Sequence, residues 1–119
     1  MLLLKEINSN GVAVIEANGK FTVEDTQRIF PQFETALENQ EKLHFYIDLR
    51  DLSGTELTAL KEDLQFDIKY GDRFGRVAIV GERSWQDWAT KIFSLFFNTP
   101  TRFFEQTETE QAWQWVNGH

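Results

Sequence analysis

The chain has 119 residues, 41% hydrophobic and 14% aromatic with 11 Phe and 4 Trp, enough apolar mass for one domain to bury a core and too much for a disordered tail. A formal net charge of -7 repels nucleic acid, and the lack of cysteine removes disulfides, thiolate metal ligands and Cys nucleophiles together, as suits a reducing cytoplasm. The opening Met1-Leu2-Leu3-Leu4 is too short for a signal h-region or a membrane span and follows no basic segment, so neither export nor an integral membrane helix is expected.

Leu2 to Ile7 and Val12 to Asn18 alternate apolar and polar residues around Asn8-Ser9-Asn10-Gly11, whose residues tolerate positive φ, and the pattern predicts a hairpin. Thr22-Val23-Glu24-Asp25 resembles a capping box, and Val23, Phe30, Phe33 and Leu37 follow at helical spacing. Pro31 falls inside that helix, where it removes a donor and predicts a kink or a restart. Leu43 to Leu49 is a strand with Leu43, Phe45, Ile47 and Leu49 on one face and His44, Tyr46 and Asp48 on the other; Asp51-Leu52-Ser53-Gly54 is expected to break it.

A second helix then carries Leu57, Leu60, Leu64 and Ile68 on one stripe, with Phe66 and Tyr70 roughly opposite, and Gly71 ends it. Arg76 to Val80 is short, β-branched and apolar on both faces, as a buried parallel strand should be. Ser84 caps a third helix from Trp85 to about Phe97 that stops before Pro100, and Thr101 to Glu105 is a last strand. Thr107 and Glu110 read as a capping box for a terminal helix carrying Ala112, Trp113 and Val116. The order β-β-α-β-α-β-α-β-α predicts a single α/β domain over residues 1–119, a mixed sheet covered by helices, with no linker or repeat.

Four segments in this order resemble the SpoIIAA-like family of small bacterial proteins, which shares the STAS and Sec14-type α/β fold. They are Asn18-Gly19-Lys20-Phe21-Thr22-Val23-Glu24-Asp25, Phe74-Gly75-Arg76-Val77-Ala78-Ile79-Val80-Gly81, Trp85-x-x-Trp88-x-x-Lys91-x-Phe93, and Ala112-Trp113-Gln114-Trp115-Val116. The resemblance implies the fold and little about activity, because fold does not carry function with it. The related anti-sigma-factor antagonists carry a phosphorylated serine in an Asp-Ser-Ser-Gly pattern where the loop after the central strand enters a helix. Here that region reads Asp51-Leu52-Ser53-Gly54, which keeps Ser53 and Gly54 but puts Leu in place of the first serine.

No catalytic, cofactor or metal site assembles from the residues. His44 is the one internal histidine; it shares a strand face with Asp48 but lies roughly 13 Å from it along the strand, so the two do not meet, and His44 is read as covering the sheet. Two histidines without cysteine give metal binding little support. Glu24/Asp25, Glu62/Asp63 and Glu105/Glu108/Glu110 fall at caps or on solvated helix faces, and Gly19-Lys20 lacks the glycine-rich loop that cradles phosphate.

The informative feature is the third helix. Trp85, Trp88, Ala89, Ile92, Phe93, Leu95, Phe96 and Phe97 occupy an arc of roughly 200°, about twice what a core-facing helix needs. The surplus is expected to be covered by neighbouring elements, a partner subunit, an apolar ligand or lipid, or a membrane surface. The six basic against three acidic residues of 69–104 permit the last. The expected function is therefore a cytoplasmic, non-enzymatic interaction or apolar-ligand-binding module, a homodimer without cofactor, whose contact surface comprises Trp85, Trp88, Ile92, Phe93, Phe96 and Phe97 with Phe66 and Tyr70. The alternative is a phosphorylation-responsive antagonist acting through Ser53 and a kinase.

Overall fold

A computed structural model of the protein describes residues 1–55, 73–83 and 99–119. These form β1 (Leu2–Ile7), β2 (Val12–Phe21), helix α1 (Val23–Leu37), β3 (Leu43–Thr55), β4 (Phe74–Gly81), β5 (Thr101–Glu105) and helix α2 (Thr109–Asn117). The five strands make one sheet in the order β1-β2-β3-β4-β5. β1 runs antiparallel to β2, and every later pair is parallel, so the sheet is mixed. The helices expected over 57–70 and 85–97, with Phe66, Tyr70 and all the aromatic residues from Trp85 to Phe97, lie outside the described residues.

Local chemistry accounts for the first half of the fold. The Asn8 side-chain oxygen accepts the N–H groups of Asn10 (2.9 Å) and Val12 (3.0 Å), and the Gly11 N–H returns to the Asn8 carbonyl (3.0 Å). Gly11 stands at φ +75°, where a Cβ would be strained, so Asn and Gly at these positions select the hairpin turn. The start of α1 is the expected capping box: Asp25 N–H reaches the Thr22 hydroxyl, while Thr22 N–H donates to the Asp25 carboxylate at 2.9 Å. Arg28 closes on the same carboxylate at 2.7 Å. The helix runs on through Pro31 to Leu37 instead of restarting, with the proline on its exposed side.

Strand alternation divides the core between the two faces of the sheet. On one face Ile29, Phe33 and Leu37 of α1 pack against Ala13, Ile15, Leu43, Phe45, Ile47, Leu49, Val77 and Ile79, with Phe33, Phe45 and Phe74 in edge-to-face contacts 5.0 and 5.2 Å apart. On the other, Ala112 and Val116 of α2 cover Val12, Tyr46, Ala78, Val80 and Phe104. β4 is buried on both faces, as its unbroken apolar run requires.

Two boundaries differ from expectation. β3 does not break at Asp51-Leu52-Ser53-Gly54: β2 extends to Phe21, and Gly19 pairs with Leu52, Lys20 with Gly54 and Phe21 with Thr55 across a ladder interrupted by register shifts. Residues that favour a turn in isolation are held extended by a neighbouring strand, with irregularities that absorb the misfit. At the other end, Thr107 does not cap α2. The Glu108 N–H bonds back to the Glu105 carbonyl at 2.8 Å, which places Thr107 inside a turn; Glu108 is the cap residue, and its carboxylate accepts the Glu105 N–H at 2.9 Å instead of a helical donor.

Candidate functional site

The amino-terminal ends of β3 and β4 lie where three separate parts of the chain converge. The His44 N–H donates to the Gly11 carbonyl at 2.8 Å, which fastens the hairpin turn to the start of β3. Arg73, just before β4, donates its guanidinium to the carbonyls of Leu37 (2.5 Å), Gln40 (2.8 Å) and Glu41 (3.4 Å), so a cation satisfies the otherwise orphaned end of α1 and fixes the connection into β3. After α2, the Asn117 amide oxygen accepts from Asn8 (2.8 Å) and Asn10 (3.1 Å), and the His119 Nε2–H donates to the Asn10 carbonyl at 2.7 Å.

His44 sits at the centre of this convergence and is 5% exposed. Its Nδ1 accepts the Arg76 backbone N–H at 2.8 Å. The neutral ring therefore carries its proton on Nε2. Gly75 admits the ring, since a Cβ there would overlap its Nδ1 and Cε1. The His119 ring stacks on it with centroids 3.5 Å apart and planes within 14°. Burial, then the neighbouring His119, Lys42 and Arg76, push the His44 imidazole down from 6.5 to about 4. At neutral pH this ring is a fixed hydrogen-bond donor. Its exposed nitrogen already holds a proton and so cannot take one, and no imidazolium is present to give one up.

His44 and His119 line a groove of about 490 Å³ together with Ser9, Asn10, Gln40, Glu41 and Lys42. Sequence reasoning placed His44 with Tyr46 on the strand face opposite Phe45, where it is, but did not find the groove. The signal available was the glycine at position 75 next to a short buried strand, which marks a backbone position that something approaches closely.

Further along β3, Asp48 and Arg50 form a bidentate pair, the guanidinium Nε–H donating to Oδ1 at 2.9 Å and an Nη2–H to Oδ2 at 2.6 Å. Asp48 and His44 do not meet, as their spacing implies. The Tyr46 hydroxyl between them is pushed up by burial and by the Asp48 charge. The Ser53 backbone lies within β3 and not in a strand-to-helix loop, while its side chain falls outside the described part of the molecule. Among the described residues no three His, Asp or Glu side chains cluster in a way that would hold a metal ion, and no helix is long and apolar enough to cross a membrane.

Comparison with known proteins places this geometry in a fold family. A SpoIIAA-like family model matches residues 12–117. An uncharacterised protein of Shewanella loihica with a SpoIIAA-like fold is 30% identical, with a TM-score of 0.70 over 98% of this chain and 92% of that one. The anti-sigma factor antagonist SpoIIAA in its unphosphorylated form superposes with a TM-score of 0.57 over 96% of each chain at 16% identity, a likeness of fold alone. No curated protein matches the chain.

Proposed function

The chain belongs to the SpoIIAA-like family, and from that premise we propose that it is a cytoplasmic, non-enzymatic interaction module that pairs with a second copy of itself or holds an apolar ligand through residues 85–97. The observation that carries this reading is the apolar surplus of that segment in the sequence, where Trp85, Trp88, Ile92, Phe93, Phe96 and Phe97, at helical spacing, would cover about twice the arc that a core contact uses. Phe66 and Tyr70, expected opposite the core stripe of the helix over 57–70, would add to such a surface, and aromatic residues are enriched at interfaces. Support for the non-enzymatic part comes from the polar groups, which are engaged in holding the fold: Asp25 in the cap of α1, Asp48 with Arg50, and His44 under the Arg76 amide.

Sedimentation and apolar-dye binding of the wild type and of Trp85→Ala test the reading. Trp85→Ala is expected to weaken self-association or dye uptake and leave the unfolding midpoint nearly unchanged, whereas Trp88→Ala, if that side chain is core, costs about 3 to 5 kcal/mol. A protein that is monomeric at tens of micromolar and takes up no dye overturns it.

A second reading, a phosphorylation-responsive antagonist acting through Ser53, draws on the fold shared with the antagonist SpoIIAA. It is the weaker of the two, because Leu52 and Gly54 on either side of Ser53 are paired with β2. Ser53→Asp is expected to leave partner association unchanged; a loss confined to that variant promotes the second reading over the first.

A further inference from the structure

We propose that the groove at the amino-terminal ends of β3 and β4 binds a small ligand through an oxyanion, a carboxylate or phosphate group, received by the His44 Nε2–H and the Lys42 ammonium. The groove, about 490 Å³, falls within the range of small-molecule sites. Its walls are supplied by hydrogen-bonding side chains from the hairpin turn, the connection after α1 and the chain end after α2.

Two observations point to a ligand independently of the cavity. The first is His44: a ring 95% buried has one nitrogen committed to the Arg76 amide, and its other nitrogen has no hydrogen-bond partner among the described residues. The ring lines the groove, and an acceptor seated there would replace water on that N–H. The second is charge. Lys42 has no ion-pair partner among the described residues, and its charge acts on His44. An acceptor that carries negative charge satisfies both groups together.

The same geometry excludes other occupants. A metal ion needs a lone pair on the imidazole nitrogen it binds, and the Arg76 N–H already occupies the one lone pair of the neutral ring. An organic cation would meet Lys42. Glu41 is the one groove residue whose charge opposes an anion, and it provides a variant of opposite expected sign. This site is separate from the 85–97 surface, so the two proposals stand or fall apart.

The test is a titration of the ¹⁵N-labelled full chain with sodium phosphate and, separately, sodium acetate, each against sodium chloride at matched ionic strength, with the imidazole nitrogens observed by NMR. His44 Nε2 is expected to shift saturably with at least one of the two anions, and its titration midpoint to rise when that anion is bound. Lys42→Ala, an exposed truncation whose fold the amide spectrum verifies, weakens the response about fivefold, and Lys42→Arg restores it. Glu41→Gln strengthens it. Saturation by phosphate alone assigns a phosphoryl ligand, and saturation by acetate alone a carboxylate. A His44 response that tracks ionic strength without saturating, or one indifferent to Lys42→Ala, overturns the proposal.

Discussion

Acidification from pH 7 should destabilise the protein through one buried ring. The unfolded chain protonates His44 near 6.5, while the folded chain holds it neutral down to about 4. Because the folded pKa is the lower one, stability is fully present above 6.5 and declines as the pH falls, since only the unfolded state gains the proton. The decline ends near pH 4, where both states are protonated. At about 1.36 kcal/mol for each pH unit of difference, the loss reaches about 3 kcal/mol, a large share of the roughly 5 to 15 kcal/mol that holds a domain of this size. Burial of the ring is the largest cause, and the charges of His119, which stacks on it, Lys42 and Arg76 add to it.

Asp25 does not confuse the reading. Burial raises its pKa, but the hydrogen bonds from Thr22 and the Met1 ammonium outweigh burial and lower it, so its contribution is lost only below 3.8, under the His44 window. Urea unfolding followed by tryptophan fluorescence at several pH values between about 7 and 4 measures the slope. The control is His44→Asn, whose side-chain oxygen replaces Nδ1 as acceptor for the Arg76 N–H and does not titrate. The variant loses the stacking contact at every pH but shows a nearly flat profile across the window. Equal slopes for the two proteins, or a His44 ring titrating near 6.5 by NMR, would refute the reasoning.

Gly75→Ala places a methyl group against the His44 ring and should cost about 1 to 3 kcal/mol; a double-mutant cycle with His44→Ala measures the coupling, and strict additivity would show that the clash is not with that ring. Arg73→Ala removes three carbonyl contacts at the end of α1 and should cost about 1 to 3 kcal/mol, with faster amide exchange near residues 37–41; unchanged exchange there counts against the clamp. Thr22→Ala should lower stability by about 1 kcal/mol while Thr22→Ser recovers most of it, and a thermal midpoint indifferent to both would remove the cap from the account.

What the chain discloses by itself is its local chemistry. The asparagine and glycine of the hairpin, the Thr22–Asp25 box and the alternation from Leu43 to Leu49 each act within a few residues, and the structure carries all three. The continuation of β3 past Asp51 is decided instead by pairing with Gly19, Lys20 and Phe21, more than 30 positions earlier, against the turn preference of its own residues. The groove is illegible for the same reason. Ser9, Gln40, Lys42 and His119 belong to no shared pattern until the hairpin, the end of α1 and the chain end are brought together. His44 was visible as a histidine covering the sheet, but its tautomer depends on an amide 32 residues away.

The hydrogen bond between Asn8 and Asn117 joins residues 109 apart, and the apolar face formed by Val12, Tyr46, Ala78 and Val80 is completed by Ala112 and Val116. During synthesis this face is finished only when α2 has left the ribosome, whereas the buried residues of the opposite face, from Leu2 to Ile79, are all made by the end of β4. The two sides of the sheet therefore mature at different times. A nascent chain stalled before position 109 presents an unfinished layer of valine, alanine and tyrosine, the kind of surface that chaperones hold and that aggregates when they do not.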